Sequence, residues 1–127
     1  MELILVRGLP GSGKTYYATK YYFDYTHFEA DLYRYDYNGK YVFELSLCYL
    51  CHKLCLKSTE LALKRGENVI VANTFVTIKE LKPYIKLAEE LGTILKIHTC
   101  WGNYKSEHNV PEEKIEQMRG KWQDYDY

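Results

Sequence analysis

Several features that would make a chain easy to classify are missing from this one. Lysine plus arginine and aspartate plus glutamate number 17 each, for a formal net charge of +0. Without an excess of either sign no overall field draws a polyanion or an acidic membrane, so any polynucleotide contact has to be a local basic cleft. No apolar run approaches the roughly 20 residues that span a bilayer. The chain opens on Met1-Glu2-Leu3-Ile4 rather than on a charged segment and a signal-type apolar run. The expectation is a protein without a membrane partner, placed in the cytoplasm, where Cys48, Cys51, Cys55 and Cys100 are reduced thiols. A second Cys-x-x-Cys pair is also lacking. Zinc is therefore not expected, and Cys48, Cys51 and Cys55 share one helical face, where cysteine packs as a small apolar residue. With 127 residues there is no room for a second catalytic domain, and residues 1–127 read as one domain.

Against these absences stands one specific pattern. Leu3-Ile4-Leu5-Val6 leads into Arg7-Gly8-Leu9-Pro10-Gly11-Ser12-Gly13-Lys14-Thr15. This is a G-x-x-x-x-G-K-[ST] loop between a buried strand over 2–7 and a helix over about 14–23. Gly8, Gly11 and Gly13 let successive N–H groups converge on phosphate oxygens, and Leu9-Pro10 stiffens the turn. Lys14 reaches for β- and γ-phosphates, and the Thr15 hydroxyl is a ligand for Mg²⁺. The nucleotide-binding set is then Gly8, Pro10, Gly11, Ser12, Gly13, Lys14 and Thr15, with ATP and Mg²⁺ as the implied cofactors. Tyrosine is abundant, at 14 residues. Tyr17, Ala18 and Tyr21 fall on one face of the loop's helix, so most of its rings are expected to pack there.

Downstream, His27-Phe28-Glu29-Ala30 reads as a short second strand ending in Asp31. A carboxylate at that sheet edge is placed to accept a proton from a substrate hydroxyl, although a turn or capping aspartate fits the position equally. Residues 32–43 alternate aromatic and polar side chains around Asn38-Gly39, a hairpin signal. Arg34 and Lys40 among its tyrosines suit phosphate contact beside base stacking, and a self-packing hairpin explains the aromatics as well. Residues 44–65 form the longest helix pattern, with Leu47, Leu50, Leu54, Leu61 and Leu63 as its apolar positions. A third strand, Asn68 to Ala72, ends in Asn73-Thr74 without the acid that many P-loop proteins carry there for Mg²⁺. Thr77 and Glu80 form a capping box for a helix closed by Gly92, residues 93–100 a fourth strand, and Pro111 the start of a last helix. The polar stretch at about 101–110 is where a P-loop kinase carries a lid.

The chain resembles the small P-loop kinases related to the kinase domain of T-even phage polynucleotide kinase, the polynucleotide-kinase-like AAA-type ATPases. The resemblance rests on the loop Arg7 to Thr15, on Ala30-Asp31-Leu32-Tyr33 and on Gly39-Lys40-Tyr41-Val42-Phe43. It continues through Val71-Ala72-Asn73-Thr74, Leu81-Lys82-Pro83-Tyr84 and His108-Asn109-Val110-Pro111-Glu112-Glu113-Lys114-Ile115. It implies an α/β P-loop three-layer sandwich with a mostly parallel sheet and a lid before the C-terminal helix. It implies Asp31 as general base, Arg34 on a substrate phosphate, and Asn73 and Thr74 near the acceptor. Lys105 stands where the family usually has a lid arginine, Leu32 where a second aspartate is common, and Ala72 where an acid often ends the third strand. Metal ligation then falls to Thr15 and Asp31. The implied reaction is transfer of the γ-phosphoryl group of ATP to an alcohol, with Lys14, Asp31 and Lys105 catalytic. The leading acceptor is the 5′-hydroxyl of a nucleic acid end or nucleotide, and a hydroxymethylated base in DNA is a related choice. The competing expectation is a nucleotide-binding regulatory module with little or no transfer. A GTPase switch is weaker, because no Asn-Lys-x-Asp pattern occurs.

Overall fold

The computed structural model describes residues 1–31, 45–104 and 110–125, with the backbone alone for 45–48. The expected hairpin at 32–43, with Arg34 and Lys40, lies outside the described residues, as does Lys105 in the expected lid. The elements run β1 (Glu2–Arg7), α1 (Lys14–Tyr21), β2 (Thr26–Phe28), α2 (Leu45–Lys64), β3 (Val69–Ala72), α3 (Ile78–Leu91), β4 (Ile94–Thr99) and α4 (Glu112–Lys121).

Four aliphatic residues in succession need cover on both faces, and β1 finds it in the middle of the sheet. Leu3, Ile4, Leu5 and Val6 are all 0% exposed. On one side β1 pairs in parallel with β3, from Leu3 opposite Val69 to Val6 opposite Ala72. On the other it pairs in parallel with β4, from Glu2 opposite Ile94 to Arg7 opposite Thr99. β2 adds in parallel to the far side of β3, giving the order β2-β3-β1-β4 among the described residues. Parallel neighbours require crossovers, and the helices supply them. Tyr17 and Ala18 of α1, with Tyr22 and Tyr25 after it, cover the face made by Ile4, Val6, Ile70 and Ala72. Residues of α2 and α3 cover the opposite face, made by Leu3, Leu5, Val69 and Val71. The result is the expected three-layer α/β arrangement with a parallel sheet.

Three local expectations need correction. The helix α1 stops at Tyr21, short of Phe23, which is 83% exposed and has nothing to hold it in register. Tyr21 touches the Tyr17 ring at 5.1 Å between centroids but stays 60% exposed, so the rings that line the sheet are Tyr17, Tyr22 and Tyr25. Of the leucine positions expected on the apolar face of α2, Leu63 is buried but three others are not. Leu50, Leu54 and Leu61 are 47%, 41% and 45% exposed, while Cys51, Cys55, Thr59, Ala62 and Leu63 are buried. Small side chains at Cys51, Cys55, Thr59 and Ala62 let the helix approach the sheet closely, and Thr59 satisfies its hydroxyl by donating to the Cys55 carbonyl at 2.8 Å.

The reading of α3 holds. The Glu80 carboxylate accepts the Thr77 N–H at 2.8 Å, and Gly92 closes the helix at φ 64. On β4, His98 lies flat on Tyr17, with 3.9 Å between ring centroids and 4° between planes. No helix of the described residues is long and apolar enough to cross a membrane.

Two outcomes are expected. Leu63→Ala should cost about 2–5 kcal/mol in urea unfolding, and Leu61→Ala less than about 0.5 kcal/mol, although the leucine pattern puts both on the apolar face. Burial against Tyr17 holds the His98 imidazole below its ordinary value of 6.5. A lowered histidine contributes full stability above 6.5 and loses it as acid forces a charge into the stack. Nuclear magnetic resonance should therefore show His98 titrating below 6.5, and His98→Gln should flatten the loss of stability between 6.5 and that midpoint.

Candidate functional site

The phosphate loop leaves β1 at the carboxyl edge of the sheet, where the strand order places β3 on one side of β1 and β4 on the other. Gly8 N–H donates to the Thr74 carbonyl at 3.2 Å and Ser12 N–H to the Leu9 carbonyl at 3.0 Å, closing the turn. A Cβ on Gly8 would lie 2.2 Å from Ser12 Oγ and 2.8 Å from the Cys100 carbonyl, so no other residue fits. Gly13 caps α1 at φ 94, in the left-handed region open to glycine. Among the described residues the amides of Gly11, Gly13, Lys14 and Thr15 have no acceptor. Amides at the start of a helix have no intrahelical partner and make an anion-binding nest. The Ser12 hydroxyl, in a residue 4% exposed, also lacks a partner.

Lys14 carries its cation into this nest. Its Nζ donates to the Leu9 carbonyl at 3.1 Å. Burial pushes the ammonium below the usual lysine range, and the charges of Glu29, Asp31 and Cys100 oppose that shift. No carboxylate of the described residues forms an ion pair with it, so Lys14 is a desolvated cation short of an anion.

The strand expected to reach Ala30 ends at Phe28, and a 3₁₀ turn begins at Ala30-Asp31. The reason lies in Asn73, whose Oδ1 accepts the Ala30 N–H at 2.8 Å and diverts it from the sheet. Asn73 is 6% exposed, and its Nδ2 points at Cys55 Sγ at 3.7 Å. The side chain therefore faces inward and anchors the turn that carries Asp31, while Thr74 contributes its carbonyl to Gly8. Glu29, expected within that strand, instead follows it and lies against the start of α1. The Thr15 hydroxyl donates to both of its oxygens, at 3.1 Å and 2.9 Å. His27 Nε2 approaches the same carboxylate at 2.7 Å, oblique to the ring's hydrogen-bonding direction.

A buried arginine supports this edge from behind. Arg7 is 1% exposed, and its guanidinium donates to the Phe75 carbonyl at 3.1 Å and 2.7 Å, to Val76 at 3.3 Å and to Gln123 at 2.7 Å. Its carbon lies 4.1 Å from the Trp122 ring centroid. Burial lowers its affinity for the proton, and Asp124 and Glu80 act in the opposite direction. A charged residue closing a run of buried aliphatics is a sequence signal that such partners must exist.

On the β4 side of the loop a cleft of about 740 Å³ opens between Leu9, Pro10, Trp101, Tyr104, Arg119 and Trp122. Gly102 N–H donates to the Ser12 carbonyl at 3.1 Å and Tyr104 N–H to the Gly11 carbonyl at 2.7 Å, fixing the segment after β4 against the loop. Glu29 and Asp31 follow β2, on the far side of β3, so the aromatic cleft and the two carboxylates flank the loop from opposite sides.

The sequence profile of the AAA domain family AAA_33 matches residues 3–106. The chain belongs to this AAA domain family. NEDD4-binding protein 2 of Homo sapiens is 29% identical over 136 residues, which cover 97% of this chain and 8% of that protein. A chain of the Pnkp1/Rnl/Hen1 complex is similar in structure, with a TM-score of 0.65 at 20% identity over 91% of this chain and 38% of that chain. The APS kinase CysC of Mycobacterium tuberculosis, in complex with AMPPNP and APS, gives a TM-score of 0.61 at 16% identity, over 91% of this chain and 66% of that one. The fold of this AAA domain is thus that of the P-loop kinases, and the chain spans well under half the length of the human relative and of the Pnkp1/Rnl/Hen1 chain.

Because the Asn73 amide is turned into the protein, Asn73→Ala should destabilise the ligand-free domain by about 1–3 kcal/mol in urea unfolding. Asn73→Asp, which keeps an acceptor for Ala30, should recover part of that loss.

Proposed function

We propose that this domain transfers the γ-phosphoryl group of ATP to a hydroxyl acceptor. The observation that carries the reading is the half-buried Lys14 ammonium, short of an anion, in a loop where the amides of Gly11, Gly13, Lys14 and Thr15 have no acceptor among the described residues. Such a site is complementary to the β- and γ-phosphates and strengthens as negative charge develops on the transferring group. The oxygen donors of Thr15 and Asp31 beside it are of the hard type that suits Mg²⁺. When bound, that ion supplies charge neutralisation between the phosphates. Asp31, at the exit of β2, is the residue to orient and deprotonate the acceptor hydroxyl. The aromatic cleft on the other side of the loop suits the nucleoside half of the donor, with Trp101, Tyr104 and Trp122 as apolar walls. This division leaves the β2 side of the loop for the acceptor, with Arg34 on its phosphate and Lys105 on the transferring group.

For the acceptor, the 5′-hydroxyl of a nucleic acid end or of a nucleotide fits the chemistry best. The formal charge of +0 does not suit tight binding to a long duplex, which depends on many phosphate contacts. A hydroxymethylated base in DNA presents the same alcohol. The similarity to a chain of the Pnkp1/Rnl/Hen1 complex supports a kinase fold and is compatible with this acceptor class. A second reading, a nucleotide-binding module without turnover, draws on Ala72, which ends β3 without an acid.

Transfer of label from γ-labelled ATP to 5′-hydroxyl oligonucleotides, nucleoside 3′-phosphates and hydroxymethylated DNA tests the proposal. Label is expected on one class. Lys14→Ala and Asp31→Asn should each reduce transfer at least about 100-fold. Native-rate transfer by Asp31→Asn would remove the base assignment, and bound ATP with no labelled acceptor would select the second reading.

A further inference from the structure

In P-loop proteins an acid near the phosphates commonly helps hold the Mg²⁺ that the loop threonine ligates. Here the end of β3 offers only Ala72, 2% exposed. The register shows what stands next to it. Phe28 pairs with Val71, so the following residue, Glu29, leaves β2 alongside Ala72. We infer that Glu29 is the positioning residue for the Thr15 hydroxyl at the magnesium site, supplying from β2 the carboxylate that β3 lacks. The inference rests on the nucleotide-binding part of the function proposed above.

The chemistry follows from what a hydroxyl can do. Threonine has one O–H proton and two lone pairs, and a free hydroxyl rotates among orientations, some of which would aim the proton at a cation. The two Glu29 oxygens straddle Thr15 Oγ1 at 3.1 Å and 2.9 Å, so the proton is held on the carboxylate and the lone pairs are turned away from it. A hydroxyl polarised in that way is the better ligand for a hard cation. Glu29 is itself enclosed: its side chain is 13% exposed. A carboxylate has about four acceptor positions, so Glu29 keeps capacity for a water on the ion. The alternative is a purely structural bond between the start of α1 and the end of β2, and it predicts a different result.

The test is binding of a fluorescent ATP analogue, once in EDTA and once across a MgCl₂ titration, for the parent protein, Glu29→Gln and Glu29→Asp. The ligand-free melting temperature of each is measured alongside. Glu29→Gln should need about 10- to 100-fold more Mg²⁺ for half-maximal tight binding. Its affinity in EDTA should be equal or higher, since a negative charge near the phosphates is gone. Glu29→Asp, which keeps the charge on a shorter arm, should fall between the two and serves if the glutamine protein does not fold. An unchanged Mg²⁺ requirement, or an equal loss of affinity with and without Mg²⁺, would overturn the inference and leave nucleotide binding standing. Failure of the folded parent to bind the analogue in either condition would overturn the proposed function, and this inference with it.

Discussion

Burial of one arginine at the end of the central strand is the constraint on which the working edge depends. Arg7 cannot shed its proton, so a position 1% exposed is tolerable only with acceptors around the guanidinium. It finds them in carbonyls from Phe75, Val76 and Gln123. Those bonds tie the chain leaving β3 and the chain leaving α4 to the residue that launches the phosphate loop. Phe75 is held at φ 45, a strained conformation for a bulky side chain, with its carbonyl on Arg7 and its ring edge-on to Tyr84 at 5.3 Å. A charge-assisted hydrogen bond contributes about 1.5–3 kcal/mol, which offsets strain of about 1–3 kcal/mol.

With the loop anchored, the strand order divides the space around it. β1 lies between β3 and β4, so the loop has a β3 side and a β4 side. The first side receives Glu29, Asp31 and the inward-facing Asn73. The second receives Cys100, Trp101 and Tyr104, and its cleft is closed by Trp122 from the far end of the described chain. Carboxylates and aromatic walls are thereby kept apart.

Lys14 and Glu29 illustrate how partial satisfaction becomes chemistry. Lys14 is partly desolvated, and among the described residues its ammonium makes only a carbonyl contact. Glu29 accepts the Thr15 hydroxyl on both oxygens, so its carboxylate is partnered where the Lys14 ammonium is not. The different surroundings of the two side chains do not follow from residue type alone.

What the sequence by itself determined were the features whose causes are local. The aliphatic run of β1, the glycine spacing of the loop, the Thr77–Glu80 cap and the Gly92 stop are each decided by residues a few positions apart, and the structure carries them at those places. The tertiary structure decided which of the candidate positions a helix buries and where a side chain points. On α2 the expected cysteine face is buried at Cys51 and Cys55, and of the described leucines Leu63 packs inward while Leu50, Leu54 and Leu61 stay largely exposed. Glu29 reads as a strand residue until the start of α1 and the end of β2 are brought together, and the bond from the Ala30 amide to Asn73 is equally invisible in the sequence. Thr15 and Glu29 are 14 residues apart, and Arg7 and Gln123 are 116 apart. Hydrogen bonds over such separations depend on sheet register and helix packing, which no local pattern encodes.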